Sequence, residues 1–498
     1  MSEGSAQRNF SMLADFYEFT MMGGYLESGH RDTVAVFDLF FRRIPDGGGF
    51  ALFAGLEQVV QYLENLSFTQ EDLEYFRSRG FSQTFLDYLR DFHFCCDVWS
   101  VPEGTPVFPN EPVITIRGPL LQAQLVETMT LLSVNFQSLI ATKANRVVRA
   151  SQGRTVVEFG SRRAQGVDAA VLGARAAYIA GCAGTANTMA DSTLGIPAAG
   201  TMAHSWVQVF DTEYDAFRAY AQAYPDQCTL LVDTYNTLRS GIPNAIRVFN
   251  EVVLPKGYRP VAVRIDSGDL AYLSKRARAM LDKAGFRDVK IMASNSLDEY
   301  IIRDLLVQNA AIDIFGVGEN LITSKSEPVF GGVYKLVASA DKSGVLQPRI
   351  KISETVAKIT VPGFKRPYRL YSRENGKALA DYIALWEEPP VDDSRDMTIF
   401  DPHAIWKRKT VYGYVAKELQ VQVFDKGRRC CDLPSVEDIR AACAAQVDTL
   451  WEESLRFEYP HRYYVDLSQT LWDTQQRLLR DMSLPQVDAA ADIYKEEF

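Results

Sequence analysis

An arginine and two aspartates stand together at the end of a short apolar run. Residues 261–265 read Val-Ala-Val-Arg-Ile and lead directly into Asp-Ser-Gly-Asp at 266–269. Such a run is typical of a buried strand, and parallel α/β proteins build their active sites at the carboxyl ends of strands. Arg264 can pair with a carboxylate or phosphate, and Asp266 and Asp269 can accept from sugar hydroxyls or hold Mg²⁺. The segment therefore predicts a catalytic or binding site.

Ser267 and Gly268 lie between the two aspartates and are expected to contact the substrate. Glycine allows a close approach of the backbone to a ligand. The alternative interpretation is a helix N-terminus with acidic caps, because Asp and Ser are favoured N-cap residues. The segment alone leaves both interpretations open.

The same pattern, an apolar run followed by polar or glycine-rich residues and a helix-like stretch, recurs along the chain. The runs span residues 155–159, 197–200, 229–232, 261–265, 289–293 and 312–315. Strands that alternate with helices imply right-handed βαβ units and a parallel sheet. Residues 130–340 are therefore predicted to form a TIM-like α/β barrel, which is irregular or incomplete because six strands are visible and eight are not.

The two ends of the chain have a different pattern. Residues 34–43 are typical of a strand, and short strand-like pieces such as 368–371 follow the barrel segment. Because short strands cannot bury themselves alone, residues 1–129 and 341–433 are predicted to pack together as a β-rich flanking domain. Residues 434–498 are predicted to be a helical C-terminal region with a structural role.

Composition excludes several classes of protein. The 498 residues carry a net charge of −10, which argues against binding to nucleic acid or an anionic membrane. No apolar run approaches the roughly 20 residues that a membrane span needs. Seven cysteines, an odd number, form a poor disulfide framework and lack the spacing of a zinc site. We therefore expect a cytoplasmic enzyme.

The last two predicted barrel strands end in small polar residues and glycines. Ser294 and Asn295 follow one strand, and Gly316 and Gly318 follow the other. TIM-type barrels commonly bind phosphate at this place through backbone N–H groups. A phosphate ester is the inferred ligand, although a Gly-x-Gly sequence alone is weak evidence and no Walker loop is present.

His204 is the one histidine of the five that falls at the end of a predicted barrel strand. Its neighbours are small and apolar, so a partly desolvated imidazole is expected, which can serve as a nucleophile or proton carrier. The alternative is a core histidine bonded to a backbone carbonyl. A metal at this residue is not expected, since no second His or Cys stands at ligand spacing.

Six motifs together resemble those of the nicotinate phosphoribosyltransferase family. They are residues 15–21 (Asp-Phe-Tyr-Glu-Phe-Thr-Met), 40–43 (Phe-Phe-Arg-Arg), 158–164 (Glu-Phe-Gly-Ser-Arg-Arg-Ala), 200–205 (Gly-Thr-Met-Ala-His-Ser), 263–269 (Val-Arg-Ile-Asp-Ser-Gly-Asp) and 331–336 (Gly-Gly-Val-Tyr-Lys-Leu). The resemblance covers roughly residues 10–480, and the order and spacing of the motifs make it specific. One departure is Ala186, where a serine is expected.

The resemblance implies an irregular α/β barrel with a β-rich domain from both flanks. It also implies that nicotinate, phosphoribosyl pyrophosphate and ATP become nicotinate mononucleotide, pyrophosphate, ADP and phosphate. This chemistry needs carboxylates near the ribose, which Asp266 and Asp269 suit, and Mg²⁺ with basic groups near the pyrophosphate. Arg162 and the glycine turns suit phosphate. His204 matches a histidine that is phosphorylated in the family.

The choice of base follows from charge. Nicotinate carries a carboxylate, which favours Arg264 as its partner and is repelled by a nearby acid. The related nicotinamide enzyme has an Asp in the segment that corresponds to residues 184–187, whereas this segment, with Thr185 as a predicted substrate contact, has none. Phe159 is the expected stacking wall. By resemblance Tyr17 supplies the other wall from a neighbouring subunit, which implies a homodimer with shared active sites.

The sequence leaves three alternatives open. Quinolinate phosphoribosyltransferase shares the fold class, but it is a shorter chain and needs more basic residues. A nicotinamide phosphoribosyltransferase would accept the uncharged base. A non-enzymatic, metabolite-binding barrel protein would keep the fold and lose the site. The presence of Arg264, Asp266, Asp269 and His204 favours the enzyme.

Overall fold

The structure, a computed structural model, describes residues 8–353, 358–402 and 404–482. The strands are β1 (Val34–Phe41), β2 (Ala51–Leu52), β3 (Asp97–Ser100), β4 (Pro106–Val107), β5 (Ile114–Pro119), β6 (Thr155–Glu158), β7 (Thr229–Leu231), β8 (Ala262–Ile265), β9 (Lys290–Ala293), β10 (Ile314–Val317), β11 (Gly332–Ala340), β12 (Leu346–Pro348), β13 (Lys365–Ser372), β14 (Ala378–Leu385), β15 (Met397–Asp401), β16 (Ala404–Val411), β17 (Tyr414–Glu418), β18 (Val421–Asp425), β19 (Arg428–Arg429) and β20 (Val465–Leu467).

The helices alternate with strands in the middle of the chain and cluster at its two ends. They are α1 (Phe16–Glu27), α2 (Leu56–Glu64), α3 (Gln70–Ser78), α4 (Gln83–Arg90), α5 (Leu120–Leu125), α6 (Glu127–Ala150), α7 (Val167–Ile179), α8 (Thr188–Leu194), α9 (His204–Val209), α10 (Glu213–Ala223), α11 (Ile242–Val248), α12 (Leu270–Lys283), α13 (Glu299–Val307), α14 (Glu319–Ile322), α15 (Val436–Asp448) and α16 (Gln469–Met482).

One compact unit comprises Phe136–Val329 and Ser435–Ala444. Its sheet has the order β6-β10-β9-β8-β7, and every neighbouring pair is parallel. The expected alternation of strands and helices is therefore confirmed as a mixed α/β architecture. A closed barrel is not found among the described residues.

Five of the six predicted barrel strands are observed. The sixth, residues 197–200, contributes only a bridge between Ala198 and Thr185, and Thr185 in turn forms a bridge to Glu158. These two parallel bridges extend the sheet beyond β6. The backbone amide of Thr185 donates to Pro197 O at 3.0 Å, and that of Ala199 donates to Thr185 O at 2.8 Å.

The buried strands of this unit are apolar because they are covered on both faces. Leu230, Val263 and Ile291, from three adjacent strands, are fully buried in one hydrophobic cluster. Helix α12 follows β8 after a short turn, and Asp269 caps it by accepting from the amide of Tyr272 at 2.9 Å. The cap satisfies one of the amides that every helix start leaves unpaired.

The other compact unit gathers the described residues of Met1–Asn135, Phe330–Pro434 and Ala445–Phe498. Its main sheet has the order β12-β11-β1-β5-β3-β18-β19, so strands from both flanks of the chain hydrogen-bond to each other. Strand β11, which the sequence interpretation assigned to the barrel, pairs antiparallel with β1 instead.

The C-terminal region is not purely helical. Ser435 caps the start of α15, because its hydroxyl accepts from the amide of Asp438 at 3.1 Å. Residues Val465–Leu467, however, form β20, which runs parallel to β14 in a sheet of order β17-β13-β14-β20. The sequence did not predict this strand because three residues are too few to show the alternating pattern of a strand, and the surrounding pattern is helical.

A buried ion pair links two strands of the second sheet. Arg369 donates to Asp381 through Nε at 2.7 Å and Nη2 at 2.6 Å, and both side chains are 0% exposed. Tyr463 also donates to Asp381 at 3.0 Å, and Arg369 donates to Pro106 O at 2.9 Å. The pair is bidentate and fully desolvated, so removal of either charge would leave the other buried without an ionic partner.

We expect Arg369→Ala to destabilise this unit by about 3–5 kcal/mol, because it leaves the Asp381 carboxylate buried and unpaired. Arg373→Ala is the matched control, since Arg373 forms an ion pair with Asp393 at 3.0 Å but is half exposed. The control should cost less than about 1 kcal/mol. Urea unfolding followed by tryptophan fluorescence measures both, and equal midpoints for the two variants would contradict the assigned role of the buried pair.

Candidate active site

Arg264 is held in place by three side chains: Asp266, which follows its own strand β8, Ser294, which follows β9, and Thr201, which lies in the segment before α9. Its Nη2 donates to Asp266 Oδ1 at 3.0 Å, its Nε to Ser294 Oγ at 3.0 Å and its Nη1 to Thr201 Oγ1 at 3.0 Å. The Arg264 side chain is 16% exposed. A guanidinium has five N–H groups, so each Nη nitrogen keeps one N–H for a ligand.

Asp266 connects Arg264 with two further strand ends. Its Oδ1 also accepts from the hydroxyl of Ser294. Its backbone amide donates to Asp233 Oδ2 at 2.9 Å, and Ser267 Oγ donates to the same oxygen at 2.5 Å. The other oxygen of Asp233, Oδ1, is buried and has no hydrogen-bond partner among the described residues.

His204 is the first residue of α9 and lies beside this cluster, with one hydrogen bond to its imidazole ring. Nδ1 lies 3.1 Å from Thr234 Oγ1, which is a hydrogen-bond distance. Nε2 lies 3.7 Å from Asp266 Oδ2, which is too long for a hydrogen bond. The side chain is 40% exposed, so the imidazole is accessible and is not the core histidine of the alternative interpretation.

Phe159 forms an aromatic wall beside Arg264. The Arg264 Cζ atom lies 5.6 Å from the centre of its ring, within the range of a cation–π contact. Gly316 lies inside β10 and not in a turn, and a Cβ added to it would lie 2.7 Å from the Phe159 ring. The glycine is therefore required for the ring to fit. Gly318, at the start of α14, lies close to the Phe159 carbonyl.

A buried glutamate precedes Phe159 in the chain and binds the backbone that follows it. Glu158 is 0% exposed, and it accepts from Thr185 Oγ1 at 2.6 Å and from the amide of Gly160. Burial raises the pKa of Glu158, while these hydrogen bonds oppose the rise. Thr185 was predicted to contact the substrate. Its hydroxyl is fully buried and donates to Glu158, so it is placed for a supporting role.

Three other predicted site residues lie outside the hydrogen-bonded cluster. Asp269 is exposed and caps α12, which is the alternative that the sequence left open. Arg162 is exposed in the 3₁₀ turn Ser161–Arg163. Asn295 has a left-handed backbone with φ of +94° and accepts only from Ser296, at 3.2 Å, among the described contacts. Gly268, at φ +80°, meets the backbone requirement of the turn between Asp266 and α12.

Four residues of the cluster were not predicted: Thr201, Asp233, Thr234 and Glu158. Asp233 and Thr234 follow a predicted strand directly, so the rule that selected Asp266 also applies to them. Thr201 and Glu158 lie inside motifs that were recognised for their neighbours. Their roles depend on which hydroxyl meets which carboxylate across strands, and spacing along the chain does not contain that information.

Tyr17 belongs to the other compact unit, where it lies on α1 and is 43% exposed. Partial burial and the neighbouring carboxyls of Glu127 and Glu18 raise the pKa of the Tyr17 hydroxyl. Glu18 is 0% exposed and accepts from the amide of Thr128 at 3.1 Å and from its hydroxyl at 2.6 Å. Tyr17 thus lies in the first turn of α1, beside the buried Glu18 and the partly buried Glu127.

The cluster around Arg264, in the unit that contains Phe136–Val329, can bind an anion and a polyol together. Arg264 offers two N–H groups next to an aromatic face, and Asp233 and Asp266 offer carboxylate oxygens a short distance away. No group of three or more metal-ligating side chains occurs in the described part of the chain. These features define an α/β enzyme site for a flat, negatively charged substrate and a hydroxyl-rich one.

Comparison with known proteins gives the family. Profiles of the nicotinate phosphoribosyltransferase (NAPRTase) N-terminal domain, family core and C-terminal domain match residues 12–135, 155–338 and 364–475. The nicotinate phosphoribosyltransferase of Bacillus subtilis (strain 168) is 43% identical over 480 residues, covering 96% of this chain and 97% of the relative. The human protein of the same name is 32% identical over 520 residues, covering 92% and 95%.

Solved structures agree with the sequence matches. The crystal structure of human nicotinic acid phosphoribosyltransferase superposes with a TM-score of 0.83 at 31% identity, covering 93% of this chain and 99% of the human one. The chain belongs to the nicotinate phosphoribosyltransferase family. No helix in the part of the chain that the structure describes has the length and apolar character needed to cross a bilayer.

The buried Glu18 carboxyl makes stability depend on pH. Burial raises the pKa of Glu18 from 4.5 to about 8, and its hydrogen bonds with Thr128 only partly oppose this shift. A raised folded-state pKa means that the stabilising contribution of the protonated group is complete below pH 4.5. It is lost as pH rises toward 8.

We therefore expect Glu18→Gln, which cannot ionise, to gain melting temperature relative to the parent protein as pH rises from 5 to 8, with no further gain above pH 9. Differential scanning calorimetry over this range measures the gain. Glu27→Gln, at an exposed position of the same helix, is the matched control. A difference between Glu18→Gln and parent that is constant with pH would show that Glu18 does not titrate in this window.

Proposed function

We propose that this protein is an enzyme that transfers phosphoribosyl from phosphoribosyl pyrophosphate to nicotinate, with ATP hydrolysis, in NAD salvage. Family membership supports the reaction, and the observation that carries it to this chain is the Arg264 cluster. Arg264 is fixed by Asp266, Ser294 and Thr201 at hydrogen-bond distances and lies over the Phe159 ring. An aromatic ring that bears a carboxylate fits these two features.

Nicotinate recognition follows from the geometry of the guanidinium. The two N–H groups that remain on Arg264 can donate to a carboxylate, and a charge-assisted hydrogen bond is about twice as strong as a neutral one. No acid side chain lies in residues 184–187, next to the Phe159 wall. An amide in place of the carboxylate would lose the charge, which favours nicotinate over nicotinamide.

The ribose and pyrophosphate require carboxylates and a cation. Breaking the bond between ribose C1 and pyrophosphate leaves positive charge on the sugar, which Asp266 and Asp233 can stabilise electrostatically. The same two residues would hold Mg²⁺, which commonly binds one or two protein carboxylates together with substrate phosphates. The unpartnered, buried Oδ1 of Asp233 is consistent with such a ligand. When bound, Mg²⁺ supplies charge neutralisation of the leaving pyrophosphate.

The ATP-dependent step is proposed for His204. Its imidazole is accessible, is hydrogen-bonded at Nδ1 only, and lies next to Asp266. In this proposal the imidazole accepts the γ-phosphoryl group of ATP, and water later hydrolyses the phosphohistidine. Asp269 and Arg162 are not in contact with this cluster, and their predicted roles in ribose and phosphate binding stay proposals.

The finer architecture is proposed as well. The bridges from Glu158 through Thr185 to Ala198 extend the parallel sheet by two positions, which supports an irregular TIM-like barrel. A homodimer with shared sites would bring Tyr17, an exposed aromatic residue on α1, to the base of the partner. The free state of all seven cysteines supports a reducing compartment, the cytoplasm.

The Arg264→Ala variant tests the assignment of substrate. Loss of the charge-assisted contact should weaken nicotinate binding by about 1.5–3 kcal/mol, or roughly ten- to a hundredfold, with a much smaller effect on nicotinamide. Arg259→Ala is the matched control, since that arginine pairs with Asp288 on the surface of the same unit. Titration calorimetry with nicotinate, nicotinamide and quinolinate measures all three. Preference of the parent protein for quinolinate, or equal weakening of every base, would overturn the proposal.

The shared site is tested by mixing two inactive variants. Tyr17→Ala lacks the proposed stacking wall and Asp266→Ala lacks the ribose carboxylate, so each homodimer should be nearly inactive. Under conditions that exchange subunits, half of the dimers are mixed and carry one intact site of two, so activity should recover to about a quarter of the parent value. Native mass spectrometry verifies exchange, and no recovery after exchange would mean that Tyr17 acts within its own chain or not at all.

A further inference from the structure

The imidazole of His204 is hydrogen-bonded on one side only. Thr234 Oγ1 lies 3.1 Å from Nδ1, whereas Nε2 has no hydrogen-bond partner among the described residues and faces Asp266 Oδ2 at 3.7 Å. The group on Nδ1 of a histidine determines which nitrogen carries the proton. A hydroxyl can either accept from Nδ1–H or donate to Nδ1. In the tautomer in which Thr234 accepts, the lone pair is on Nε2, which is the nitrogen without a hydrogen-bond partner among the described residues.

The residues that precede Thr234 in the chain are held by hydrogen bonds to β8 and the turn that follows it. Thr234 follows β7 and the tightly held pair Val232 and Asp233. The amide of Val232 donates to Arg264 O at 3.0 Å, and Asp233 accepts from the amide of Asp266 at 2.9 Å. On the other side, a Cβ on Gly241 would lie 1.8 Å from Val232 O, so the helical turn after the loop packs directly against the strand end.

The loop that carries Thr234 also closes onto this turn. Asn236 accepts from the amide of Arg239 at 2.8 Å and so caps the π-helical turn Thr237–Gly241. Insertions of this kind in helices are frequent at functional sites. The Thr234 hydroxyl therefore meets His204 from a loop whose flanking residues, Asp233 and Asn236, are both hydrogen-bonded.

We propose that Thr234 is a positioning residue for His204, which holds Nδ1 and directs phosphoryl transfer to Nε2. The inference rests on the proposed ATP-dependent step. The lone pair of Nε2 forms a bond to the γ-phosphorus of ATP, the bond from that phosphorus to the bridging oxygen breaks, and ADP leaves with the electron pair. Nδ1 keeps its proton and its hydrogen bond to Thr234 throughout. Water then attacks the phosphorus, the P–N bond breaks, the electron pair returns to Nε2, and the protons of the water leave with the inorganic phosphate.

The test compares Thr234→Val, which has the same shape without the hydroxyl, with Thr234→Ser, which keeps the hydroxyl. Each full-length protein is incubated with Mg²⁺ and γ-labelled ATP, and acid-labile phosphohistidine is quantified over time. Its isomer is identified by ³¹P NMR of a proteolytic digest. Thr234→Ala is a second variant without the hydroxyl in case valine prevents folding, and His204→Ala is the blank.

We expect the parent protein and Thr234→Ser to carry phosphate on Nε2 alone. Thr234→Val and Thr234→Ala should be phosphorylated about two- to tenfold more slowly, which is the range that one neutral hydrogen bond accounts for, with part of the label on Nδ1. A merely structural residue would lower the yield without changing the isomer. Serine should restore both the rate and the isomer.

Two results would overturn the inference. Phosphorylation of Thr234→Val on Nε2 alone at the parental rate would mean that the hydroxyl does not position the ring. Failure of Thr234→Ser to restore the parental isomer would mean that the hydroxyl is not the responsible group. Absence of phosphohistidine in the parent protein, despite ATP hydrolysis, is a distinguishable outcome that removes the proposed histidine step itself and this inference with it.

Discussion

The candidate site depends on the ion pair between Arg264 and Asp266. Residues two apart along a strand point to the same face, so the two side chains meet without any help from a turn. Their partial burial, at 16% and 29% exposure, reduces screening by water and makes the pair more persistent than one on the surface. Ser294 hydrogen-bonds to both partners, and Thr201 fixes the remaining side of the guanidinium. The positive charge therefore has a defined position before any ligand arrives.

The register of the parallel sheet explains why these side chains meet. Leu231 pairs with Arg264 and Arg264 pairs with Met292, so the residues two positions further on in each strand, Asp233, Asp266 and Ser294, lie at one level. Strand β10 continues the same row with Gly316, since Phe315 pairs with Ala293. A side chain in that place would occupy the space of the Phe159 ring. One row thus supplies two carboxylates, a hydroxyl and an opening for an aromatic residue, and a shift of register by one residue would turn each of them away.

Sequence alone could predict the strands and several residues of this row, but not the contacts between their side chains. The apolar runs that became β6 to β10 are long enough and punctuated clearly enough to be recognised, and Arg264 and Asp266 stand at a position where strand ends carry chemistry. Asp269 has the same residue type and proximity, yet it caps α12, because N-cap preference and active-site chemistry select the same amino acids. Asp233 also follows a predicted strand directly, so its position could be predicted, whereas its contact with Asp266, about thirty residues away, could not. Closure of a barrel has no signature along the chain, since it depends on how many strands join and with what stagger.

A chain with a net charge of −10 has to bind its anionic substrates through local groups, because its overall field repels them. Asp266 already balances the charge of Arg264. Under the proposed function, an incoming carboxylate is therefore bound less by net electrostatic attraction than by hydrogen bonds of defined direction. Only the N–H groups that the protein leaves unused are available, and they define where the carboxylate must lie. Phe159 defines the plane of the base, since its ring is fixed against Gly316. Under the proposed function, the plane of the base and the direction of its carboxylate together restrict the ring nitrogen of nicotinate to one position. This nitrogen is the nucleophile, and fixing its position accelerates a displacement reaction more than additional binding strength would.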